Sequence, residues 1–334
     1  MAFGTRVTTT TRNKLMPKVA DTVLGSNVFA TRMLARAKKW SGAQMEFPIK
    51  VSKNANGGSF SGLDTFSTAA TDNRVKLTYD PKYYRQTSVL PLTEISANKT
   101  EDGVMNLVAL TLASDAQDMA DSVGDLFYGT GSGDDFLGLA AIVDDGTTAA
   151  NIGGQSRTTY TTLQSSVTSS ATLGLDTMRT SLNAAKSGSQ KPSLIVCDEA
   201  VFGYYEQLLQ PQERIVKNVG MAKGLEGGTG FTGLDYAGIP VLADEKATGG
   251  VMFFLNEDNL FWTANKMQMT EAIQYSPTAI TGNDYKGVKG LGFSWSGWIK
   301  PANQAAVIGH TYLGGNLMTD NPKRHAKITD IAGV

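Results

Sequence analysis

Apolar residues at Val104, Val108, Leu112, Ala116, Met119, Val123 and Phe127 recur every three or four positions, the spacing of one face of a long α-helix. This is the strongest periodic signal in the chain, and it predicts a helix over residues 98–128. Asn98 stands three residues before Glu101 in a capping-box pattern, Glu101 and Asp102 suit a first turn that favours negative charge, and Gly129 stops the run. At about 1.5 Å per residue such a helix spans roughly 40 Å, a rod on which other elements can register.

A period of two replaces this pattern elsewhere. Phe47, Ile49 and Val51, and later Val75, Leu77 and Tyr79, alternate with polar neighbours and predict the two arms of a β-hairpin. Between the arms, residues 52–74 are rich in Ser, Asn, Gly and Thr, with Phe60, Leu63 and Phe66 isolated among them. A connection this long is uncommon inside a compact domain. Paired arms and a polar tip with a few apolar knobs describe a projection that rests on another molecule, because a bare edge invites aggregation.

Residues 160–241 read as compact α/β. Leu175, Met178, Leu182 and Ala185 predict a helix ended by Gly188, Leu194, Ile195 and Val196 a buried strand, and Ala200, Val201, Tyr204, Tyr205, Leu208 and Leu209 a second helix ended near Pro211. The chain then turns β-rich. Strands at 251–255 and 260–262 flank the turn Asn256, Glu257, Asp258, Asn259, a hairpin signal. Met267, Met269, Ile273 and Tyr275, then Leu291, Phe293 and Trp295, continue the alternation, and these strands are expected to pack on the long helix. Trp295 and Trp298 alternate with Gly and Ser, which favours a sheet face over a base-stacking platform. From Met318 onward the tail is expected to cover an edge or fray.

With 334 residues and 41% hydrophobic content, the chain can bury a full core and divide into two domains or subdomains. Its net charge of -1 hides a polarised sequence. Residues 1–42 hold Arg6, Arg12, Lys14, Lys18, Arg32, Arg36, Lys38 and Lys39 against only Asp21, and read as an arm of short helical pieces broken near Gly25, either a solvated basic tail or, given its interspersed apolar residues, a docking segment. Residues 101–145 hold ten carboxylates, among them Asp115, Asp118, Asp121 and Asp125 on the helix, and no Lys or Arg. Such a face needs a cationic partner or open water, and the basic arm of a second copy is the expected partner.

Candidate chemistry is sparse. One Cys and two His (Cys197, His310, His325) exclude an intramolecular disulfide framework and argue against structural zinc. Cys197 precedes Asp198 and Glu199, which disfavour a thiolate, so it reads as structural. The run Gly129, Thr130, Gly131, Ser132, Gly133 follows a helix, lacks a P-loop Lys and leads into Asp134 and Asp135, so it reads as a hinge. No apolar run reaches the roughly 18 residues that span a bilayer, and residues 1–4 lack a secretory core. A protein made and kept in the cytoplasm is expected, with no catalytic residue, cofactor, metal or membrane.

This order of elements resembles the tailed-bacteriophage major capsid proteins with the Hong Kong 97-like fold. The most specific local match is Tyr236, Ala237, Gly238, Ile239, Pro240, Val241 leading into residues 251–262. The resemblance implies an α+β fold with an N-terminal arm (1–42), an extended β-hairpin loop (43–92), a spine helix of the peripheral domain (93–128), an α/β axial domain (129–247) and peripheral return strands with a C-terminal tail (248–334). It implies a virion shell subunit, assembled in the host cytoplasm into pentamers and hexamers around a double-stranded DNA genome. Implied partners are a separate scaffolding protein, since only some forty residues precede the hairpin, a portal protein, an optional decoration protein, and packaged DNA through nonspecific contacts. Candidate inter-subunit residues are Arg32, Arg36, Lys38, Lys39, the loop residues Lys50, Lys53, Phe60, Leu63 and Phe66, and the four helix aspartates. Some family members cross-link a loop Lys to an Asn of a neighbour; nothing here identifies that Asn or a catalytic Glu, so no cross-link is expected. Two other readings stay open: an encapsulin-type nanocompartment shell of the same fold, and a ligand-binding α/β protein built on residues 160–241.

Overall fold

The computed structural model describes residues 27–40, 42–98, 107–186, 188, 190–209, 234–265 and 293–332. The first part of the chain forms α1 (Val28–Ala35), β1 (Lys38–Trp40), β2 (Met45–Lys50), β3 (Arg74–Tyr79), β4 (Lys82–Pro91), α2 (Leu92–Asn98) and α3 (Leu107–Tyr128). There follow α4 (Leu139–Ile142), the short pair β5 (Asn151–Ile152) and β6 (Gln155–Ser156), β7 (Ser166–Ser169), α5 (Leu175–Ala185), β8 (Leu194–Cys197) and α6 (Glu199–Leu209). The last part holds β9 (Leu234–Tyr236), β10 (Ile239–Ala243), β11 (Met252–Leu255), β12 (Leu260–Asn265), β13 (Phe293–Trp295), β14 (Ala306–Thr319) and β15 (Ala326–Thr329).

Two sheets organise these elements. One has strand order β7-β15-β11-β8-β10-β9. Its strand β8 is buried along its whole length, which is why Leu194 to Cys197 is an unbroken apolar run. Between β9 and β10, Ala237 (φ 54°) and Gly238 (φ 76°) are both left-handed, the geometry of a tight two-residue hairpin turn.

The other sheet is built on β14. Residues 306–315 of β14 pair with β4, residues 315–319 with β12, and residues 311–313 with β13; β1 lies parallel to β12. Gly315 sits where the sheet passes Trp262: a Cβ there would lie 2.5 Å from Trp262 Cζ2 and closer still to the Thr263 carbonyl.

The long helix lies on this second sheet, as its period requires. Phe127 and Phe136 each meet the fully buried Trp262 edge-on, at centroid distances of 5.1 and 5.0 Å. Met119, Val123 and Phe127 are buried, whereas Ala116, one turn earlier on the same stripe, is exposed. Asn98 itself lies within the helical residues of α2, which begins directly after β4, where the Leu92 amide donates to the Ala305 carbonyl; residues 99–106, where the long helix would start, lie outside the described residues. Glu101, Asp102 and Val104 lie outside the described residues, as do Met267, Met269, Ile273, Tyr275 and Leu291.

The hairpin arms are found as expected, with Phe47 opposite Leu77 and Ile49 opposite Val75. Leu77 and Tyr79 bury one face of the hairpin against Phe261, Met318 and Leu163. Residues 52–72 between the arms are all exposed.

Two expectations are corrected. Strands β11 and β12 form no hairpin: β11 pairs with β8 and β15, and β12 with β14 and β1. The turn between them carries the chain from one sheet to the other, because its polar groups are held by both sides. His325 Nδ1 accepts the Asn256 amide, Ser193 Oγ accepts the Glu257 amide, and Asn259 Nδ2 donates to Asp320. The described part of the C-terminal tail neither frays nor covers a sheet edge. After β14 it crosses back, and Ala326 to Thr329 becomes an internal strand between β7 and β11. Residues 248–334 are therefore shared between the two sheets.

Candidate interaction surfaces

Among the described residues, the arm cations Arg32, Arg36 and Lys38 are engaged within their own chain, whereas Arg6, Arg12, Lys14 and Lys18 lie outside the described residues. Helix α1 is wedged beside α3, with Phe29 packed on Phe127 and Tyr128. The Phe29 amide donates at 2.8 Å to the buried Asp244 carboxylate, a helix cap supplied from more than two hundred residues away. Asn27 Nδ2 donates to the Ala120 carbonyl, and Gly124 leaves the room this amide needs.

Arg32, one turn on, forms a two-pronged pair with Glu257, with Nη2 to Oε2 at 2.9 Å. Arg36 joins at 3.1 Å and reaches Asp258 at 3.8 Å. Burial alone would raise the Glu257 carboxyl, but Arg32 and then Arg36 outweigh it and hold the group below the ordinary carboxylate range. Arg32 and Arg36 thus pair, within the chain, with the sheet-crossing turn. Lys38 lies 3.7 Å over the Phe261 ring. Lys39 is exposed on β1.

The acidic helix face also finds a cation inside the chain. Lys246, two residues past Asp244, meets Asp121 at 2.7 Å and Asp125 at 3.3 Å. The Asp121 hydrogen bond, against the opposing effect of burial, raises the Lys246 ammonium above its usual value. Asp118 is exposed and Asp115 half-buried.

The extended loop is the surface left open. Leu63 is 100% exposed, Phe60 68% and Phe66 66%, with the two Phe rings edge to face at 5.2 Å. Lys50 and Lys53 are exposed at its base. Two hydrogen bonds tie the neck: Asn56 Nδ2 to the Ala69 carbonyl, and Thr71 Oγ1 to Asn54 Oδ1 at 2.9 Å. At the tip the Ser61 amide donates to Asp64 at 2.8 Å. Three large apolar side chains therefore face water on a self-tied loop with no core beneath them.

A buried charge cluster went unread in the sequence. Asp144 accepts the amides of Gly146, Thr148 and Ala149 and lies 3.3 Å from Arg157 Nη1 and 3.2 Å from Lys327 Nζ. Burial alone would raise its carboxyl; the Ala149 and Gly146 amides and Lys327 together lower it. Arg157, fully buried, also donates to the carbonyls of Ala141 and Ile142. These partners are too far apart in sequence to share a local pattern. The structure uses them to pin β15 and residues 140–165 together.

Nothing among the described residues assembles chemistry. Cys197 is fully buried, and burial, then Asp198, pushes its thiol well up. His325 is fully buried with Thr319 Oγ1 3.2 Å from its Nε2, and His310 lies beside Thr87 in the other sheet. No group of three or more His, Cys, Asp or Glu suited to a metal is found among the described residues. No described helix is long and apolar enough to cross a membrane. A cavity of about 950 Å³ between α5, α6 and β9 is lined by Asp176, Arg179, Asn183, Asp235 and Tyr236. Of the phenols at it, Tyr236 donates to the Leu175 carbonyl and also bonds the Arg179 side chain, and Tyr205 donates to the Asp235 carbonyl.

A scan of protein-family models finds no match to the chain, and neither does a search of curated sequences. Solved structures do match. The capsid asymmetric unit of cyanophage A-1(L) superposes with a TM-score of 0.74 at 16% identity, covering 96% of this chain and 97% of that one. The capsid of a native GTA particle gives 0.64 at 10% identity, over 99% and 100% of the two chains. The holo-SrpI encapsulin complex of Synechococcus elongatus gives 0.63 at 11%, over 99% and 97%. The chain has the fold these proteins share, the Hong Kong 97-like α+β fold expected from its sequence.

Proposed function

We propose that this chain is the major capsid protein of a tailed double-stranded DNA bacteriophage, a non-enzymatic subunit that assembles into the icosahedral head. The observation that carries this reading is the end-to-end likeness in fold to a cyanophage capsid subunit, in which almost the whole of each chain is used. The exposed Phe60, Leu63 and Phe66 support it, because a projecting apolar loop suits contact with a neighbouring copy. Many modest interfaces of this kind, each about 1,200 to 2,000 Å², add up to a stable closed shell.

In this reading residues 1–42 are the arm, 43–92 the extended loop and 93–128 the spine of the peripheral domain. Residues 129–247 form the axial domain, completed by β11 and β15. The axial domains meet in pentamers and hexamers, and the loop of one copy lies on the next. A scaffolding protein directs assembly, a portal occupies one vertex, and the arm cations outside the Glu257 cluster contact packaged DNA without sequence preference. The mature location is the virion.

The encapsulin likeness over 99% of the chain supports a second reading, a nanocompartment shell. Neighbouring genes separate the two: terminase and portal genes favour the head, a cargo-enzyme gene the compartment.

The test is expression of the chain alone and with its adjacent scaffolding candidate, examined by negative-stain electron microscopy and light scattering. Closed particles or polyheads in either sample are expected. A persistent monomer in both would overturn the shell reading.

A further inference from the structure

We propose that Asn56 is a site of spontaneous deamidation that converts a neck hydrogen bond of the extended loop into a charge repulsion. Of all the asparagines in the chain, only Asn56 is followed by glycine. Gly57 has no atom within 4 Å of where a Cβ would stand, and every residue around it is exposed. The Gly57 peptide nitrogen is therefore sterically open, and its backbone is free to swing toward the Asn56 side chain.

The chemistry balances with water as the only co-reactant. The Gly57 amide loses its proton to hydroxide, and the nitrogen attacks Asn56 Cγ. A C–N bond forms, the Cγ–Nδ2 bond breaks, and ammonia leaves with a proton from water, closing a succinimide ring. Water then adds to either ring carbonyl and opens it, leaving aspartate or isoaspartate at position 56.

The same loop supplies internal controls. Asn54, exposed like Asn56, and Asn73, half-buried where the arms meet, precede Ala55 and Arg74, whose side chains crowd the attacking nitrogen. The hydrogen bond from Asn56 Nδ2 to the Ala69 carbonyl is exposed, so water competes for it and it restrains the amide only weakly. Once the amide is lost, a carboxylate faces that carbonyl, acceptor against acceptor, and the Asn54–Thr71 tie is left to hold the neck. The reaction thus ages the projection without touching the core.

The full chain is incubated at mildly alkaline pH and sampled over time by peptide mass mapping, with isoaspartate detected by enzymatic methylation. The peptide holding Asn56 is expected to gain the mass of NH2 replaced by OH before any other, as a mixture of aspartate and isoaspartate. Gly57→Ala is expected to slow this by roughly tenfold or more, the factor of a modest rise in barrier. Equal rates at Asn54 or Asn73, no conversion at Asn56, or an unchanged rate in Gly57→Ala would each overturn the proposal. Circular dichroism of Gly57→Ala is expected to match the parent, and a changed spectrum would count against a reaction confined to the loop.

Discussion

Tyr128 donates a hydrogen bond at 3.0 Å to Asp244, through the same carboxylate oxygen that accepts the Phe29 amide. One buried oxygen therefore joins the end of the long helix, the start of α1 and the strand β10. Burial, and then the facing carboxylate, keep the Tyr128 phenol protonated far above its ordinary range. Replacing Asp244 with Ala orphans two buried donors at once and is expected to cost about 2 to 4 kcal/mol. Urea midpoints measure this; a loss no larger than that of a surface substitution would refute the joint.

Asp144→Ala strands Arg157 and Lys327 without their counter-charge in a buried site, at an expected cost of about 3 to 5 kcal/mol. Its carboxyl is lowered in the folded chain. The stability it supplies is therefore complete above the ordinary carboxylate range and is lost as pH falls through the folded value. A variant that unfolds at the parent's urea concentration and keeps the parent's acid limb would show the cluster to be inert.

Buried His325 stays neutral, its imidazole lowered from 6.5 to about 3 by burial. Between those values the unfolded chain binds a proton that the folded chain refuses, so stability falls as pH falls through that window. The expected slope is about 1.4 kcal/mol per pH unit for a single group. Ordinary carboxylates titrate little at the upper end of the window, so the slope just below pH 6.5 reports the histidine. His325→Gln should flatten it, whatever it does to absolute stability. An unchanged slope would assign the acid sensitivity elsewhere.

Exchanging Phe60, Leu63 and Phe66 together for Ser removes apolar surface that already faces water. Folding stability should change by no more than about 0.5 kcal/mol, while the yield of closed particles collapses. Wild-type particle yield from the triple variant would remove the loop tip from the contacts.

Much of the frame was legible because local patterns state it. The three-and-four spacing of Met119, Val123 and Phe127 located the buried stripe, and alternation around Phe47 and Leu77 paired the hairpin. What escaped depended on distance. A polar turn at residues 256–259 looks the same whether its flanking strands pair or part; only the anchoring of Asn256, Glu257 and Asn259 by His325, Ser193 and Asp320 decides it. The four residues of β15 include Lys327, a polar signal that hid an internal strand whose ammonium is answered by Asp144. Counting charges suggested a subunit-to-subunit attraction for the arm. What the charge count could not show is the intrachain partner of Arg32: helix α1 folds back onto the turn and places Arg32 against Glu257.

The sheet-crossing turn has a mechanical meaning. Strand β11 lies in the interior of one sheet and β12 beside the longest strand of the other, and the turn of residues 256–259 joins them as one covalent run. Clamped by Arg32 and Arg36 and anchored by His325, Ser193 and Asp320, that run is built as a torsion bar, with no free residue between the two sheets to absorb a twist. The two sheets are thus coupled through a short, pinned stretch of backbone, while residues 52–72 are all exposed and tied to one another through Asn54, Asn56, Ala69 and Thr71.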